Sequence, residues 1–182
     1  MTRRPLHAAA SIVEMVAHES PIGDLWSTWT ESGLYSLGWK KPDRNLESSN
    51  LKDASQRACE LDRLLAEYFH SGSAVFSGVT VDPAGWTSFT ANVYRCCRQI
   101  GSGETQTYKQ LATAAGNEMA SRAVGAAMAR NRVLLVIPCH RVLSAQGQLR
   151  GFSARGGLAT KRQLLDLEKA GSWPQDLFSS EV

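Results

Sequence analysis

The sequence predicts an α+β protein in which a small N-terminal α/β unit, residues 1–80, precedes a mainly helical C-terminal domain, residues 81–182. Three observations lead to this prediction. Two aromatic, strand-like segments flank Glu31-Ser32-Gly33, apolar residues recur at helical spacing between Ser55 and His70, and two short helical patterns meet at Gly116-Asn117. Two short helices joined by a glycine-containing turn are typical of a helix-turn-helix, although any two packed helices can share the pattern.

The composition indicates a folded globular chain. Hydrophobic residues make up 43% of the 182 residues and charged residues 20%, as in globular rather than disordered proteins. No apolar run approaches the roughly 18–20 residues needed to cross a bilayer, and Arg3 and Arg4 are not followed by the apolar stretch of a secretory signal. We therefore expect an intracellular protein, cytoplasmic in a bacterium or nuclear in a eukaryote.

The four cysteines indicate neither a disulfide framework nor a metal site. Cys96 and Cys97 are adjacent on a helical pattern, and Cys59 and Cys139 are isolated in the sequence. We expect no metal and no cofactor. A reducing setting fits such thiols, and it suits a protein that must keep one of them free.

Charge is divided unevenly along the chain. Residues 82–182 carry 12 Lys and Arg against 7 Asp and Glu, and residues 104–162 carry 9 against 2, whereas residues 1–81 carry 8 against 10. A basic half beside a slightly acidic one favours a polyanionic partner for the basic half. An ordinary basic surface remains the alternative.

In the first half, the patterns predict strands followed by a helix. A short mixed apolar segment at 8–18 suits a strand, and residues 25–30 and 34–39 suit a hairpin with the three-residue loop named above. Residues 40–50 are polar and predict a loop. The helix between Ser55 and His70 buries one apolar face. We expect no chemistry in this half, and we expect its scattered histidines to lie on the surface: His7, His18 and His70.

In the second half, the patterns predict four helices. After a joint at 81–86, a helix at 88–99 places Cys96 and Cys97 in the core. The helix-turn-helix pair runs from a cap at Thr107 to Ala115 and from Met119 to Ala129, and a last helix from Leu158 to Lys169 presents Lys161, Leu165 and Glu168 on one face. The Met119–Ala129 helix is rich in alanine, which suits close approach to a surface better than reading base edges.

The stretch 133–143 is the centre of the sequence. Five apolar residues predict a buried segment, which runs into Pro138 and then into Cys139, His140 and Arg141. A basic or cationic neighbour favours the nucleophilic thiolate. A nucleophile therefore competes with the alternative that Cys139 is a small core hydrophobe.

Ile137-Pro138-Cys139-His140-Arg141-Val142 resembles the active-site signature of the O6-alkylguanine-DNA alkyltransferases, also called methylated-DNA–protein-cysteine methyltransferases. The resemblance covers roughly residues 85 to 170 in order and at similar spacing. Its further motifs are Gly103 to Ala112, Ser121 to Met128, Gly151-Phe152-Ser153, Gly156 to Lys161 and Leu164 to Glu168.

The resemblance implies a ribonuclease H-like N-terminal structural domain and a C-terminal DNA-binding and alkyl-acceptor domain. It implies transfer of an alkyl group from O6-alkylguanine, and from O4-alkylthymine, to a cysteine of the protein. The nucleotide is flipped out of double-stranded DNA for the reaction. Because the product thioether is stable, each molecule is expected to react once. The protein is also expected to be a monomer.

The resemblance also assigns roles to residues of this sequence. Cys139 is the nucleophile, His140 the base acting through a water, Glu168 the residue that orients His140, and Asn131 the organiser of the turn. Arg122 takes the place of the flipped nucleotide, and Tyr108 lies beside the base and helps to protonate it. Further DNA contacts are expected from Thr90, Lys109 and Asn117. The remaining substrate-binding residues are Val142, Phe152, Ser153 and Lys161.

Three departures from the family pattern put pocket shape and alkyl preference in doubt. Asn131 is followed by Arg132 where Asn-Pro is usual, the 152–157 loop is longer and lacks a phenol hydroxyl, and Tyr94 stands at a frequent Trp position. The alternatives are an alkyltransferase-like protein that binds the lesion without transfer, a helix-turn-helix regulator and a cysteine hydrolase. Cys139 argues against the first, and the alanine-rich helix against the second.

Overall fold

The computed structural model describes residues 11–42, 54–152 and 154–171. The strands are β1 (Glu14–His18), β2 (Leu25–Thr30), β3 (Gly33–Gly38), β4 (Gln106–Thr107) and β5 (Val142–Leu143). The α-helices are α1 (Gln56–Ser71), α2 (Ser88–Cys97), α3 (Tyr108–Ala114), α4 (Ser121–Ala129) and α5 (Leu158–Ala170). Short 3₁₀ helices occupy Phe76–Gly78, Glu118–Ala120 and Cys139–Arg141. The α+β class is therefore confirmed, while residues 8–10 of the first predicted strand and 43–50 of the predicted loop lie outside the described residues.

β1, β2 and β3 form an antiparallel sheet in sequence order. Thr30 pairs with Gly33, so the hairpin turn consists of Glu31 and Ser32. The predicted three-residue loop was wrong by one residue, because Gly33 already belongs to the strand. Gly33 has φ of +140°, and a Cβ there would lie 2.6 Å from the carbonyl oxygen of Thr80. Only glycine lets the two backbones come this close.

Helix α1 forms where the apolar spacing predicts it. Its N-cap is Ser55, whose backbone N–H and hydroxyl both donate to the Glu14 carboxylate, at 2.7 and 2.6 Å. Its C-cap is Gly72, in the left-handed conformation at φ of +69°, and a side chain there would collide with the backbone of Leu167 in α5. The apolar face of α1 is buried throughout, and α1 ends in backbone contact with α5.

The expected surface position of His18 was wrong, although His70 is exposed as expected and His7 lies outside the described residues. The His18 side chain is fully buried. Its Nδ1 lies 3.0 Å from Asp62 Oδ1 and its Nε2 lies 2.8 Å from Ser27 Oγ. Both ring nitrogens thus have polar partners, which offsets the cost of burying them. Those partners come from α1 and β2 and could not be read from an isolated histidine.

The outer edge of β3 pairs with two segments from later in the chain. Leu34 bridges Val81 and Leu37 bridges Val133, both in parallel orientation. Leu37 donates to the carbonyl of Arg132 at 2.8 Å and accepts from the N–H of Leu134 at 3.0 Å. The apolar run that precedes Cys139 is therefore hydrogen-bonded to the N-terminal sheet, and one continuous core spans both halves. The division of the chain at residue 80 stays a prediction.

Helices α2, α3 and α4 pack against one another. Thr107 caps α3 in a capping box with Gln110, in which each side chain accepts the other residue's backbone N–H. Cys96 and Cys97 are buried on α2 as predicted. Within the three described ranges, no helix has the length and apolar content to cross a membrane.

Candidate active site

The segment before Cys139 folds into a closed turn rather than a strand. The Asn131 side chain bridges it, because Nδ2 donates to the Ile137 carbonyl at 2.8 Å and Oδ1 accepts from the Val133 N–H at 3.0 Å. The Ile137 N–H also donates to the Val133 carbonyl at 3.0 Å. Leu135, buried inside this turn, has φ of +66°, which is strained for a leucine and is held by the surrounding bonds.

Cys139 begins the 3₁₀ turn that follows and is 5% exposed. Burial raises the pKa of the Cys139 thiol, while a hydrogen bond from Asn131 and the charge of Lys161 act in the opposite direction. The resting side chain is therefore a thiol, held at the surface of a rigid turn. It needs a base before it can act as a strong nucleophile.

His140 is buried beside it, and its Nε2 lies 2.8 Å from Glu168 Oε1. Burial would raise the pKa of Glu168, but hydrogen bonds from His140 and Arg141 outweigh burial and hold it at about 2. An ionised carboxylate only accepts hydrogen bonds, so we assign the proton of a neutral His140 to Nε2. Burial lowers the pKa of His140 although Glu168 opposes the shift. Nδ1 therefore carries the lone pair, and it has no hydrogen-bond partner among the described residues.

Glu168 is the centre of this network. Arg141 donates to both its oxygens, through Nη2 at 2.8 Å and Nε at 3.1 Å, and the Gly103 N–H donates to Oε2 at 3.1 Å. Arg141 also donates to the Ile100 carbonyl at 2.5 Å. Arg141, the cation that sequence reasoning placed beside the thiol, thus pairs with the Glu168 carboxylate, which neutralises the charge of the guanidinium.

Lys161 supports the chain after the cysteine. It is fully buried, and Nζ donates to the Val142 carbonyl at 2.7 Å and to the Arg150 carbonyl at 3.1 Å. The Tyr108 hydroxyl donates to the same Arg150 carbonyl at 3.2 Å. Burial lowers the pKa of Lys161, and the nearby Cys139 raises it. Lys161 therefore ties β5 and the chain at Arg150 to α5, and Tyr108 ties the same point to α3.

A cavity of about 480 Å³ opens between α3, α4 and this loop. The predicted Tyr108, Lys109 and Arg122 line it, together with Ser121, Gly125, Ser144, Ala145, Gln146, Arg150 and Gly151. Arg122 and Lys109 are exposed at its rim. Sequence reasoning named three of these residues and missed the 144–151 loop, whose polar composition gave no signal of a pocket.

The other predicted residues that the structure describes, Cys139 among them, do not line this cavity. Val142 is fully buried on β5, three residues after Cys139, and half-buried Phe152 packs on the core. Asn117 is exposed and caps the short 118–120 turn through the Met119 N–H. Thr90 is 9% exposed on α2, where its hydroxyl accepts from Thr87, and it does not line the cavity. Ser153 lies outside the described residues.

Tyr68 is a further site residue that sequence reasoning missed. Its hydroxyl donates to Glu168 Oε1 at 2.9 Å from the N-terminal half, where no chemistry was expected. The helical spacing identified it only as an apolar-face residue, and nothing in the sequence links it to a residue 100 positions later.

A metal site has no support among residues 11–42, 54–152 and 154–171, where no three His, Cys, Asp or Glu side chains are grouped to hold an ion.

Comparison with known proteins gives a consistent result. Residues 88–170 match the family described as 6-O-methylguanine DNA methyltransferase, DNA binding domain. A methylated-DNA–protein-cysteine methyltransferase of Methanosarcina acetivorans is 37% identical over 151 residues, 82% of this chain and 94% of that protein. The protein of that name from Mycobacterium tuberculosis is 36% identical over 162 residues, 87% of this chain and 93% of that protein. The crystal structure of Mycobacterium tuberculosis OGT in complex with DNA matches with a TM-score of 0.74 and 33% identity, covering 91% of this chain and 98% of that chain.

Proposed function

The chain belongs to the methylated-DNA–protein-cysteine methyltransferase family, and from this premise we propose how its residues carry out the transfer. It is an enzyme of DNA repair that moves an alkyl group from DNA to protein. We propose that the acceptor is Cys139 and that the donor is O6-alkylguanine, with O4-alkylthymine as a second substrate. The observation that supports this most directly is the His140–Glu168 pair, which leaves Nδ1 of His140 without a partner on the residue that follows the buried Cys139.

The proposed reaction is a displacement at the alkyl carbon. Cys139 Sγ forms a bond to that carbon while the bond from the carbon to guanine O6 breaks. The thiol proton passes to His140 Nδ1, directly or through one water, and Glu168 stabilises the imidazolium that forms. The displaced guanine takes up a proton, with the Tyr108 hydroxyl as the proposed donor, and the proton held by His140 returns to Tyr108 through solvent. No second reagent regenerates the thiol from the thioether, so each molecule acts once.

The lesion must leave the DNA stack to reach the thiol. Cys139 is 5% exposed on a turn, and a stacked base cannot approach it. The cavity of about 480 Å³ beside Tyr108 is the proposed receptor for the flipped nucleotide. Arg122, exposed at its rim on α4, is proposed to fill the gap left in the duplex. We propose that Lys161, through its bonds to the carbonyls of Val142 and Arg150, holds the chain beside the flipped base, and that Phe152 and Ser153 contact that base.

The proposal extends to how the helices dock on DNA and to how the chain is divided into domains. We propose that α3 and α4 dock as a helix-turn-helix, with the small side chains of α4 against the minor groove, and that Lys109, Asn117 and Thr90 add DNA contacts. We propose further that residues 1–80 form a ribonuclease H-like structural domain and residues 81–182 the acceptor domain. We also propose that the protein is a monomer and that it acts inside the cell, where its DNA substrate is.

Intact-mass measurement after incubation with an O6-methylguanine duplex tests the proposal. We expect a gain of one methyl group per protein molecule, located on Cys139 by peptide mapping, with no further turnover. Cys139→Ser should gain none, whereas Cys97→Ser, which changes a buried thiol of α2, should still be methylated. Tight binding of the lesion without a mass change would instead favour a lesion-binding protein without transfer activity.

A further inference from the structure

Tyr68 reaches the proposed site from the face of α1 that packs on α5. It is fully buried, with its ring edge-on to Phe69 at 5.3 Å and tilted to Phe76 at 6.0 Å between centroids. Its hydroxyl oxygen lies 2.9 Å from Glu168 Oε1 and 3.5 Å from His140 Nε2. Because the Glu168 carboxylate accepts only, the single proton of the Tyr68 hydroxyl is donated to Glu168.

We infer that Tyr68 is a positioning residue for the proposed alkyl transfer: its hydroxyl fixes Glu168 Oε1 and shares the charge of that oxygen, so that Glu168 orients His140 without making it too basic. This inference rests on the proposed role of His140 as the base. It gives the N-terminal half a part in the chemistry, through a residue that acts by way of Glu168 and His140.

The hydrogen-bond count at Glu168 supports the inference. Oε1 accepts from Tyr68, from His140 and from Arg141, and Oε2 accepts from Arg141 and from the N–H of Gly103. Each added donor withdraws negative charge from the carboxylate and weakens its attraction for a proton on His140. The Tyr68 hydroxyl therefore lowers the pKa of His140. His140 then stays neutral, with Nδ1 free, down to a lower pH than it would if the hydroxyl were removed.

The surroundings of His140 must be counted before any pH effect is assigned to one hydroxyl. Several titratable or charged groups face or neighbour the imidazole: Glu168 and Lys161 from α5, Arg141 and Cys139 from its own turn, and Tyr68 from α1. Tyr68 itself remains protonated, since burial and then the Glu168 charge raise its pKa well above the usual value. It therefore acts as a constant donor over the range in which His140 titrates.

The test is the pH profile of Tyr68→Phe, which keeps the ring and removes the hydroxyl. The rate of alkyl transfer from free O6-benzylguanine is measured from about pH 5 to about pH 9, where histidine titrates. We expect the acid limb of the profile to move to higher pH by about one unit, so that the rate falls about tenfold on the limb and changes little above it. The imidazole NMR titration of His140 should move in the same direction.

The matched control is Tyr94→Phe. Tyr94 is also buried, and its hydroxyl donates at 2.7 Å to the neutral Ala127 carbonyl. Removing that hydroxyl should lower stability without moving the acid limb. If Tyr68→Phe lowers stability but leaves the acid limb and the NMR titration at their wild-type positions, or if Tyr94→Phe shifts them equally, Tyr68 only packs and the inference is wrong.

A second variant protects the test against misfolding. Site-specific replacement of Tyr68 by a fluorinated tyrosine retains the shape and strengthens the donor, so the acid limb should move to lower pH, and an unmoved limb contradicts the inference. If the wild-type protein transfers no alkyl group, the proposed function fails on its own. The NMR titration still shows whether the Tyr68 hydroxyl controls His140.

Discussion

The side-chain amide of Asn131 donates a 2.8 Å hydrogen bond to the carbonyl of Ile137, two residues before Cys139. The same side chain accepts from Val133, so one residue closes both ends of the turn. Replacing it should loosen the turn and remove a hydrogen bond that favours the thiolate.

We therefore expect Asn131→Ala to lower the free energy of unfolding by about 2–4 kcal/mol, since two buried hydrogen bonds lose their partner. The pKa of Cys139 should rise, because the opposing hydrogen bond is lost while burial remains. Urea unfolding and the pH dependence of O6-benzylguanine transfer measure the two effects. Asn131→Asp, which retains the acceptor for Val133 and loses the donor for Ile137, should show a distinct pattern, and wild-type behaviour of both variants would contradict the assigned role.

Arg122 gives a prediction that separates base flipping from chemistry. If it fills the space of the extruded nucleotide, Arg122→Ala should slow repair of duplex DNA strongly, since unstacking a base costs a few kcal/mol. Reaction with free O6-benzylguanine needs no flipping and should be nearly unchanged, whereas Cys139→Ser should abolish both. Equal loss of both activities in Arg122→Ala would show that the arginine supports the fold or the thiol instead.

The basic segment 104–162, with 9 Lys and Arg against 2 Asp and Glu, should make DNA binding strongly dependent on salt. Each phosphate contact releases counterions, so affinity for undamaged duplex should fall steadily as salt rises and should vary little with sequence. Fluorescence anisotropy with several unrelated duplexes measures this. Lys109→Gln should reduce the salt slope, and a strong preference for one undamaged sequence would favour a regulator instead.

His18 predicts how stability responds to acid. Burial lowers its pKa below the usual 6.5, although Asp62 and Glu14 act against this. The unfolded chain therefore binds the proton more readily, so the contribution of His18 to stability is present above about pH 6.5 and is lost as pH falls below it. Urea unfolding should show a loss approaching about 1.4 kcal/mol per pH unit from this group, smaller in His18→Gln. His70→Gln, which changes an exposed histidine, should retain the wild-type slope.

Arg132, which stands where the family usually has proline, is predicted to stabilise the fold by clamping three backbone carbonyls. Its guanidinium donates to the carbonyls of Tyr35, Asp82 and Ala84 at 2.6, 2.9 and 2.9 Å and lies 4.0 Å from the centre of the Tyr35 ring. A lysine cannot form this fork, so Arg132→Lys should lower the free energy of unfolding by about 1–3 kcal/mol. Arg130→Lys, an exposed neighbour, should change it by less than about 0.5 kcal/mol, and equal effects would contradict the clamp.

Sequence reasoning succeeded where the signal was local. The spacing of α1, the Thr107 cap and the buried thiols of α2 were all predicted, because helix periodicity and capping depend on residues a few positions apart. It failed for His18, for Tyr68 and for the turn inside 133–137. For His18 and Tyr68 the deciding partner lies far away in the chain, at Asp62 and at Glu168. The turn is closed by the nearby Asn131 side chain, which the apolar pattern does not reveal, and it also pairs with the distant Leu37. The assignments of Cys139, His140 and Glu168 came from the motif, and their roles stay predictions.

The pairing of β3 with Val81 and Val133 has a consequence for how the chain folds. Leu34 finds its partner about 50 residues later and Leu37 about 100 residues later. During synthesis, the hairpin emerges with one edge open and cannot be completed until the cysteine turn has left the ribosome. A chain truncated before residue 133 would therefore expose that edge to other chains and should aggregate readily. The full-length protein should refold in one cooperative step, in which the hairpin and the cysteine turn become protected from hydrogen exchange together.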